Sequence, residues 1–443
     1  MTVFFYVFML YLIDKQWNIV INEKHYPRNS LHVTVTGTIN DYSVFNQFIG
    51  LETIDFSGAT ISASDYEMVA SQMEEPVEIF WNVPVGDLRV PNTSESLSIS
   101  PETNIRDASA IHYFPNLKNV YVFGFTASPL LLDIFNAAKS VNPDVNFQCS
   151  TSIYGVEVDE TTEFLDLNSI KIKDLTELDI ALTLFPNIKT VEMCSCRLPN
   201  EELAALRAKY PDKKIVWLLI ITNHLSRRDA NHFSFSIRTD AQVFSTLGKM
   251  KHEDFTSEVA QQIFRYCTEL RALDLRHNNI TDLSGIENLK HLHTLILADN
   301  AITDVSPLAD CKMLNYVEIQ YNHIKDATPF GELPLLEDLY LVKNADKNSR
   351  VHNIIAVSKC EHIKRIDIAE SGIPSAEVRE LVKATPDDCW IKDTWVACNL
   401  QHWQRTLKNY YIKEAFSNWQ KVKEFSDWQH TVYREEDVYA KYK

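Results

Sequence analysis

The sequence predicts an α/β solenoid whose short strands form a parallel sheet on a concave face, built from repeats of two lengths. Three observations predict it. Leu270, Leu292, Leu314 and Leu336 recur at steps of 22, each opening the pattern L-x-x-[LV]-x-[LI]-x-x-N, which in the first three units continues x-Ile. A longer strand and helix pattern recurs upstream at roughly 67 residues. The triplet Ile-x-Asp starts at Ile39, Ile105, Ile172, Ile280, Ile302 and Ile324, in comparable places of successive units.

Bulk properties are compatible with that architecture and exclude several others. The chain has 443 residues, 45% apolar and 23% charged, enough for two or three ordinary domains or one elongated array with a large core. Only 10 glycines occur, and neither GxGxxG nor GxxxxGK[ST] is present, so phosphate-cradling nucleotide enzymes drop out. A formal charge of −17 repels a phosphate backbone, and no basic patch reverses it, so no nucleic-acid partner is expected.

The N-terminal segment, residues 1–30, opens with an apolar run from Val3 to Ile13 that is too short to cross a bilayer and lacks a basic flank. Two readings stand: the tail of a membrane anchor, or a strand or helix that caps the fold. A long-repeat solenoid follows over 31–217. Leu31, Leu97 and Leu165 are expected to start strands, Asp41, Asp107 and Asp174 to act as caps after them, and Leu51, Leu117 and Ile188 to open second strands. Helical stretches come next ("SDYEMVASQM", "LLDIFNAAKS", "NEELAALRAK"), each ending near Pro76, Pro143 or Pro211, and then a third strand ("VEIFW", "DVNF", "KKIVW"). Residues 218–262 are polar and lack clear register, which predicts an irregular connection carrying a hairpin or an inserted loop.

Over 263–391 the 22-residue units take over, closed by a last long repeat, "IKRIDIAESGIPSAEVRELVKATPDDCW". Alternation at the start of each unit makes a short strand that buries leucines on one side. One unit cannot close a core, so units stack. Asn278, Asn300, Asn322 and Asn344 are expected to pair with backbone groups that the turn would leave open, each such group costing about 1–3 kcal/mol if unpaired. In Ile-x-Asp the isoleucine is the plug after the turn and the aspartate caps a helical segment, so the six aspartates are architecture rather than a ligand set. Residues 392–443 change character: Trp403, Tyr410, Phe416, Trp419 and Trp428 fall at near-helical intervals, which reads as an aromatic helical cap over the last core layer, or as a partner-binding helix.

These four matched positions per unit resemble the leucine-rich repeat. "ITDVSPLADCKML" is similar to the internalin type of bacterial surface proteins and to the related class in a phosphatase regulatory subunit. The resemblance implies recognition of a protein or peptide through the concave sheet by a monomeric, non-enzymatic protein outside the cytoplasm or at the cell surface, tethered near its N-terminus. An intracellular scaffold or regulatory subunit is the alternative.

Chemistry-bearing motifs add nothing to compete with this. No HExxH or GxSxG occurs, and His291 and His293 flank a core leucine as solvated neighbours. The eight cysteines lack CxxC pairing, and Cys194 and Cys196 in "VEMCSC" read as small fillers on one face of a strand. No catalytic residue, metal or cofactor is expected. The candidate site is therefore the set of strand positions expected to face outward: Asp274, Arg276, Ile296, Tyr316, Glu318, Gln320, Tyr321, Asp338, Tyr340 and Asp367. Tyrosines among acids suit a protein interface, because a ring adds contact area at small entropic cost.

Overall fold

A computed structural model describes residues 17–73, 76–222, 234–246, 255–345, 349–393 and Phe416. The chain divides into two compact units, residues 1–191 with 212–214, and 192–211 with 215–443. The stretch from Val3 to Ile13 lies outside the described residues, as does the aromatic C-terminal segment apart from Phe416. Among the described residues no helix is long and apolar enough to cross a membrane.

The long repeat is a module that begins with a β-hairpin. In the first copy β1 (Asn18–Ile21) and β2 (Lys24–Pro27) pair antiparallel. Their tip residues Asn22 and Glu23 have φ of 48° and 65°, the left-handed pair that matches the twist of the flanking strands. Strands β3 (His32–Gly37) and β4 (Thr53–Ala59) then run parallel, and β5 (Glu78–Phe80) joins them after helix α1 (Ala63–Gln72). That helix starts where Ser62 and Asp65 exchange side-chain and backbone hydrogen bonds in a capping box.

The second copy has hairpin β6 (Asn82–Val85) and β7 (Leu88–Pro91), parallel strands β8 (Ser96–Ile99), β9 (Asn119–Thr126) and β10 (Asn146–Ile153), and helix α2 (Pro129–Val141). Strand β10 continues through Tyr154 and Gly155, both at positive φ, into β11 (Val156–Asp159). The third has β12 (Phe164–Asp166), helix α3 (Thr176–Leu184), β13 (Thr190–Glu192), helix α4 (Asn200–Lys209) and β14 (Lys214–Val216), in sheet order β12–β13–β14.

Two expectations shift here. Leu31 lies outside β3 and is 45% exposed; Val33 and Val35 occupy the inward positions matched by Leu97 and Leu165. The first repeat is offset by two residues, which preserves alternation and so disguises the slip. Strand β13 ends at Glu192, so Cys194 and Cys196 sit in the following turn rather than on a strand.

Residues 218–262, which look irregular in the sequence, begin a fourth copy. Hairpin β15 (Leu218–Thr222) and β16 (Ser234–Arg238) leads to β17 (Val243–Ser245) and helix α5 (Ser257–Tyr266). From β17 the sheet is continuous through β18 (Ala272–Asp274), β19 (Thr294–Ile296), β20 (Tyr316–Glu318), β21 (Asp338–Tyr340), β22 (Arg365–Asp367) and β23 (Trp390–Lys392), seven strands, all parallel. Their central residues Leu273, Leu295, Val317, Leu339 and Ile366 are in register and have no exposure. Behind them α5, three-residue to six-residue 3-10 turns and helix α6 (Ser375–Ala384) pack each against the next.

The asparagines join neighbouring units. Asn300 Nδ2 donates to Leu275 O at 2.9 Å and Leu297 O at 3.0 Å, and its Oδ1 accepts from the Ile280 amide at 3.0 Å. Asn322 and Asn344 repeat this one and two units on. At the ends, Asn278 donates to Thr246 Oγ1, and Ser371 donates to Leu341 O.

The Ile-x-Asp triplets extend to Ile-x-Asp-x-[Ser/Thr]. Each aspartate accepts from the backbone N–H two residues on: Ser43, Ser109, Thr176, Ser284, Ser306 and Thr328. Asp41 is itself the cap of its turn. Of the other five, Asp107, Asp174, Asp304 and Asp326 sit two residues before the helical start and Asp282 four before it, each in the local Asx turn that these side chains form readily. All six isoleucines are buried.

Candidate functional site

Parallel register aligns the candidate side chains in rows. Asp274, Ile296, Glu318, Tyr340, Asp367 and Lys392 are register partners in one row, and Ala272, Thr294, Tyr316, Asp338, Arg365 and Trp390 in another. Three-residue strands hold both rows on the side opposite the leucine row, because successive side chains alternate.

The polar groups of these rows are paired with each other. Arg276 Nε lies 2.9 Å from both oxygens of Asp274, which also accepts from Ser245 Oγ at 3.3 Å. The Tyr316 hydroxyl donates to Glu318 Oε1, and Gln320 Nε2 donates to Glu318 Oε2 at 3.0 Å. Arg365 grips Asp338 with two guanidinium nitrogens. Lys392 Nζ stands 3.6 Å from Asp367. The rings of Tyr316 and Tyr340 have centroids 5.5 Å apart at 50°.

Burial and charge tune these groups together. Burial first, and then the Glu318 carboxylate, push the Tyr316 hydroxyl well above its ordinary value. Burial works against the Arg276 and Arg365 charges, but Asp274 and Asp338 outweigh it and both guanidiniums are raised. The acids therefore meet fixed cations and hydroxyls instead of water.

Exposure departs from expectation. Asp274, Asp338, Tyr340, Asp367 and Ile296 have none, Tyr316 and Glu318 have 1%, and Arg276 has 5%. These eight are buried where the alternating pattern predicted solvent. Part of the reason lies within the sheet, since partners at about 4.8 Å spacing lie flank to flank. Gln320 is half-buried.

Tyr321 alone of the candidates is well exposed, at 50%. It belongs not to a strand but to a turn row, where the alternating pattern predicted a sheet position: His277, Asp299, Tyr321, Lys343 and Glu370 all have φ between 54° and 58°. This left-handed residue precedes each ladder asparagine or its serine substitute, and swings the chain off the sheet. Along this edge His277 Nδ1 meets Asp299 at 2.8 Å, Lys343 lies over the Tyr321 ring at 5.4 Å from its centroid, and Lys343 pairs with Glu370 at 3.2 Å. The recurrence of a polar residue one before each asparagine was the available signal for this edge.

Other sites compete weakly with this face. A cavity of about 330 Å³ in the first unit is lined by Asp87, Arg106, Asp107 and Tyr113 among others, and Asp107 is committed to Ser109 in its turn. Among the described residues no group of three or more His, Cys, Asp or Glu is placed to hold a metal ion. Cys149, Cys267, Cys311 and Cys360 are buried thiols, and burial raises the pKa of each, to about 12 for Cys149 and Cys311 and about 11 for Cys360.

Residues 268–310 match the family described as Leucine Rich repeats (2 copies). No curated protein matches the chain. Among solved structures, an internalin from Listeria monocytogenes is 14% identical, with 85% of this chain and 91% of that chain covered and a TM-score of 0.29. Internalin C2 from the same organism is 15% identical, with 66% and 76% covered and a TM-score of 0.27. A leucine-rich repeat protein of Leptospira interrogans is 14% identical, with 80% and 75% covered and a TM-score of 0.27. By the family match, the seven-stranded register and the asparagine ladder together, residues 268–310 are leucine-rich repeats, and the fold is an α/β solenoid.

Proposed function

We propose that the protein is a non-enzymatic recognition module that binds a protein or peptide through the concave side of β17–β23, with Tyr321 and its turn row as the accessible rim. The observation that carries this is the paired network of two tyrosines, four carboxylates and three cations held at strand spacing on the side opposite the leucine row. Buried ion pairs contribute little net stability and often cost some, so such a cluster is better accounted for by specificity than by folding.

The rim supplies first contact. Immobilised full-length chain would be used to isolate a partner, whose affinity is then compared for Tyr321→Ala and Lys290→Ala. An aromatic side chain that becomes desolvated against a partner is worth about 2 kcal/mol or more, and Tyr321 is the candidate aromatic free to be covered, so Tyr321→Ala should weaken binding at least roughly tenfold. Lys290, exposed behind the sheet, should be neutral. Equal affinity for both variants would remove the site from this face.

We place the protein outside the cytoplasm, at the cell surface, on the resemblance of its repeats to the internalin type. An intracellular scaffold or enzyme-regulatory subunit is the second reading, supported by seven free cysteines among the described residues, since thiols persist unpaired in reducing compartments. Fractionation of cells carrying the tagged full chain separates the two.

A further inference from the structure

Two cavities stand at the same place in different modules, between the start of a helix and the hairpin that opens the next module. One, of about 270 Å³, is lined by Asn200, the first residue of α4, and by Trp217, which follows β14 directly. There the Trp217 indole Nε1 donates to Asn200 Oδ1 at 3.0 Å. The other, of about 330 Å³, is lined by Ala63, the first residue of α1. Trp81 follows β5 as Trp217 follows β14, so Ala63 stands where the correspondence calls for an acceptor. Trp81 is 1% exposed and stacks on Tyr66 in the first turn of α1, with ring centroids 4.9 Å apart. Its Nε1 has no hydrogen-bond acceptor among the described residues, and a buried donor of this kind costs stability unless something meets it.

The rest of the lining fits a definite chemistry. Arg106 is exposed at the cavity and has no acid partner among the described residues. Asp87 has no cation partner in the same sense, and accepts from Asn104 Nδ2 at 3.3 Å. Backbone holds the two segments together. The Asp87 N–H donates to Thr103 O at 2.9 Å, and Gly86, at φ 58°, lies so close that a Cβ would come 2.0 Å from that oxygen. Val83, Ile105 and Tyr113 add apolar wall, and the Tyr113 ring meets Trp81 edge-on at 5.2 Å between centroids. We propose that this cavity binds a free amino acid with an apolar side chain. Its carboxylate accepts from Trp81 Nε1 and pairs with Arg106, whose planar fork suits that group; its ammonium pairs with Asp87, and its side chain lies against Val83 and Ile105. A zwitterion brings no net charge to a chain that stands at −17, whereas a bare anion would be repelled. In the fourth module the Asn200 carboxamide meets the indole in the ligand's stead.

The full-length chain labelled with 5-fluorotryptophan tests this by fluorine NMR, the Trp81 signal among the eight tryptophans being assigned with Trp81→Phe. L-Leucine, titrated over a millimolar range, should move the Trp81 signal saturably. L-Leucinamide, which lacks the carboxylate, and 4-methylpentanoate, which lacks the ammonium, should each bind at least about tenfold more weakly. Ala63→Asn, which supplies the acceptor that Asn200 supplies to Trp217, should shift the Trp81 signal without any ligand and abolish the response to leucine. Arg106→Gln, at an exposed side chain, should weaken leucine at least about tenfold and leave the other tryptophan signals in place. A Trp81 signal that ignores leucine, or that answers the three probes alike, overturns the proposal. So does a folded Ala63→Asn chain whose Trp81 signal stays where it was; should that variant fail to fold, the Arg106→Gln titration decides, and unchanged leucine affinity there sinks the site. These readouts use no protein partner, so they stand or fall apart from recognition at the concave face.

Discussion

Asn300 ties three backbone positions in two units with one amide. Its removal takes the side-chain partner from the buried Ile280 N–H, and one of two side-chain donors from Leu275 O and from Leu297 O, which Asn278 and Asn322 still reach, so Asn300→Ala should destabilise the second unit by about 1–3 kcal/mol. Asn279, exposed one residue beyond the preceding ladder position, should cost far less when replaced. Equal shifts in denaturant midpoint for the two variants would remove the ladder from the stability account. The aspartates of Ile-x-Asp-x-[Ser/Thr] act through charge. Hydrogen bonds from the hydroxyl and the amide of the residue two on hold Asp41, Asp107, Asp282 and Asp326 below the ordinary carboxylate value. A depressed folded pKa contributes stability above the unfolded value, about 3.9, and that contribution is lost as pH falls through the folded value. Ser284→Ala should therefore lower Tm near neutral pH, and the gap from wild type should close as acid protonates Asp282. A gap of constant size through the acid range would show that the hydroxyl serves only to pack.

At the scale of elements, what was legible in the sequence divides by the range of the interaction that sets it. The asparagine and Ile-x-Asp spacings were readable because each answers a turn requirement within a few residues. The hairpins that open the modules were mostly not, since β1 and β2 alternate over only four residues each around Asn22–Glu23, without a strong turn pair. Burial of Tyr316, Tyr340 and their acids was invisible for a different reason: alternation reports the side to which a residue points, not what covers that side. Close packing between repeats is similarly hidden in composition. Gly331 lies where the 3-10 turn Thr328–Glu332 crosses Ile354–Lys359, and an added Cβ would come 2.3 Å from the Ala356 carbonyl oxygen. Backbone must shift to admit it, so Gly331→Ala should cost about 1–3 kcal/mol. Loss of amide protection should begin in those two turns; an unchanged denaturant midpoint would mean that the turns separate freely.

For the seven-stranded array as a whole, the relevant quantity is the balance between what a repeat holds alone and what it holds with neighbours. Between β18 and β22 each unit contributes three strand residues and a 3-10 turn of three to six residues, too little to be stable in isolation. Nearly all its stability must then reside in the leucine row and the asparagine ladder that it shares with adjacent units. When interface terms dominate to this degree, a defect in one unit cannot be absorbed locally. Leu295 has no exposure and sits between Leu273 and Val317, and Leu295→Ala should cost about 2–5 kcal/mol. Native-state amide exchange should show that loss equally at Leu273, Val317, Leu339 and Ile366, because opening any one repeat exposes the interfaces of the next. Protection lost only at Leu273 and Val317 would mean that the repeats open one at a time and that the face they carry is held less rigidly than recognition by aligned rows demands.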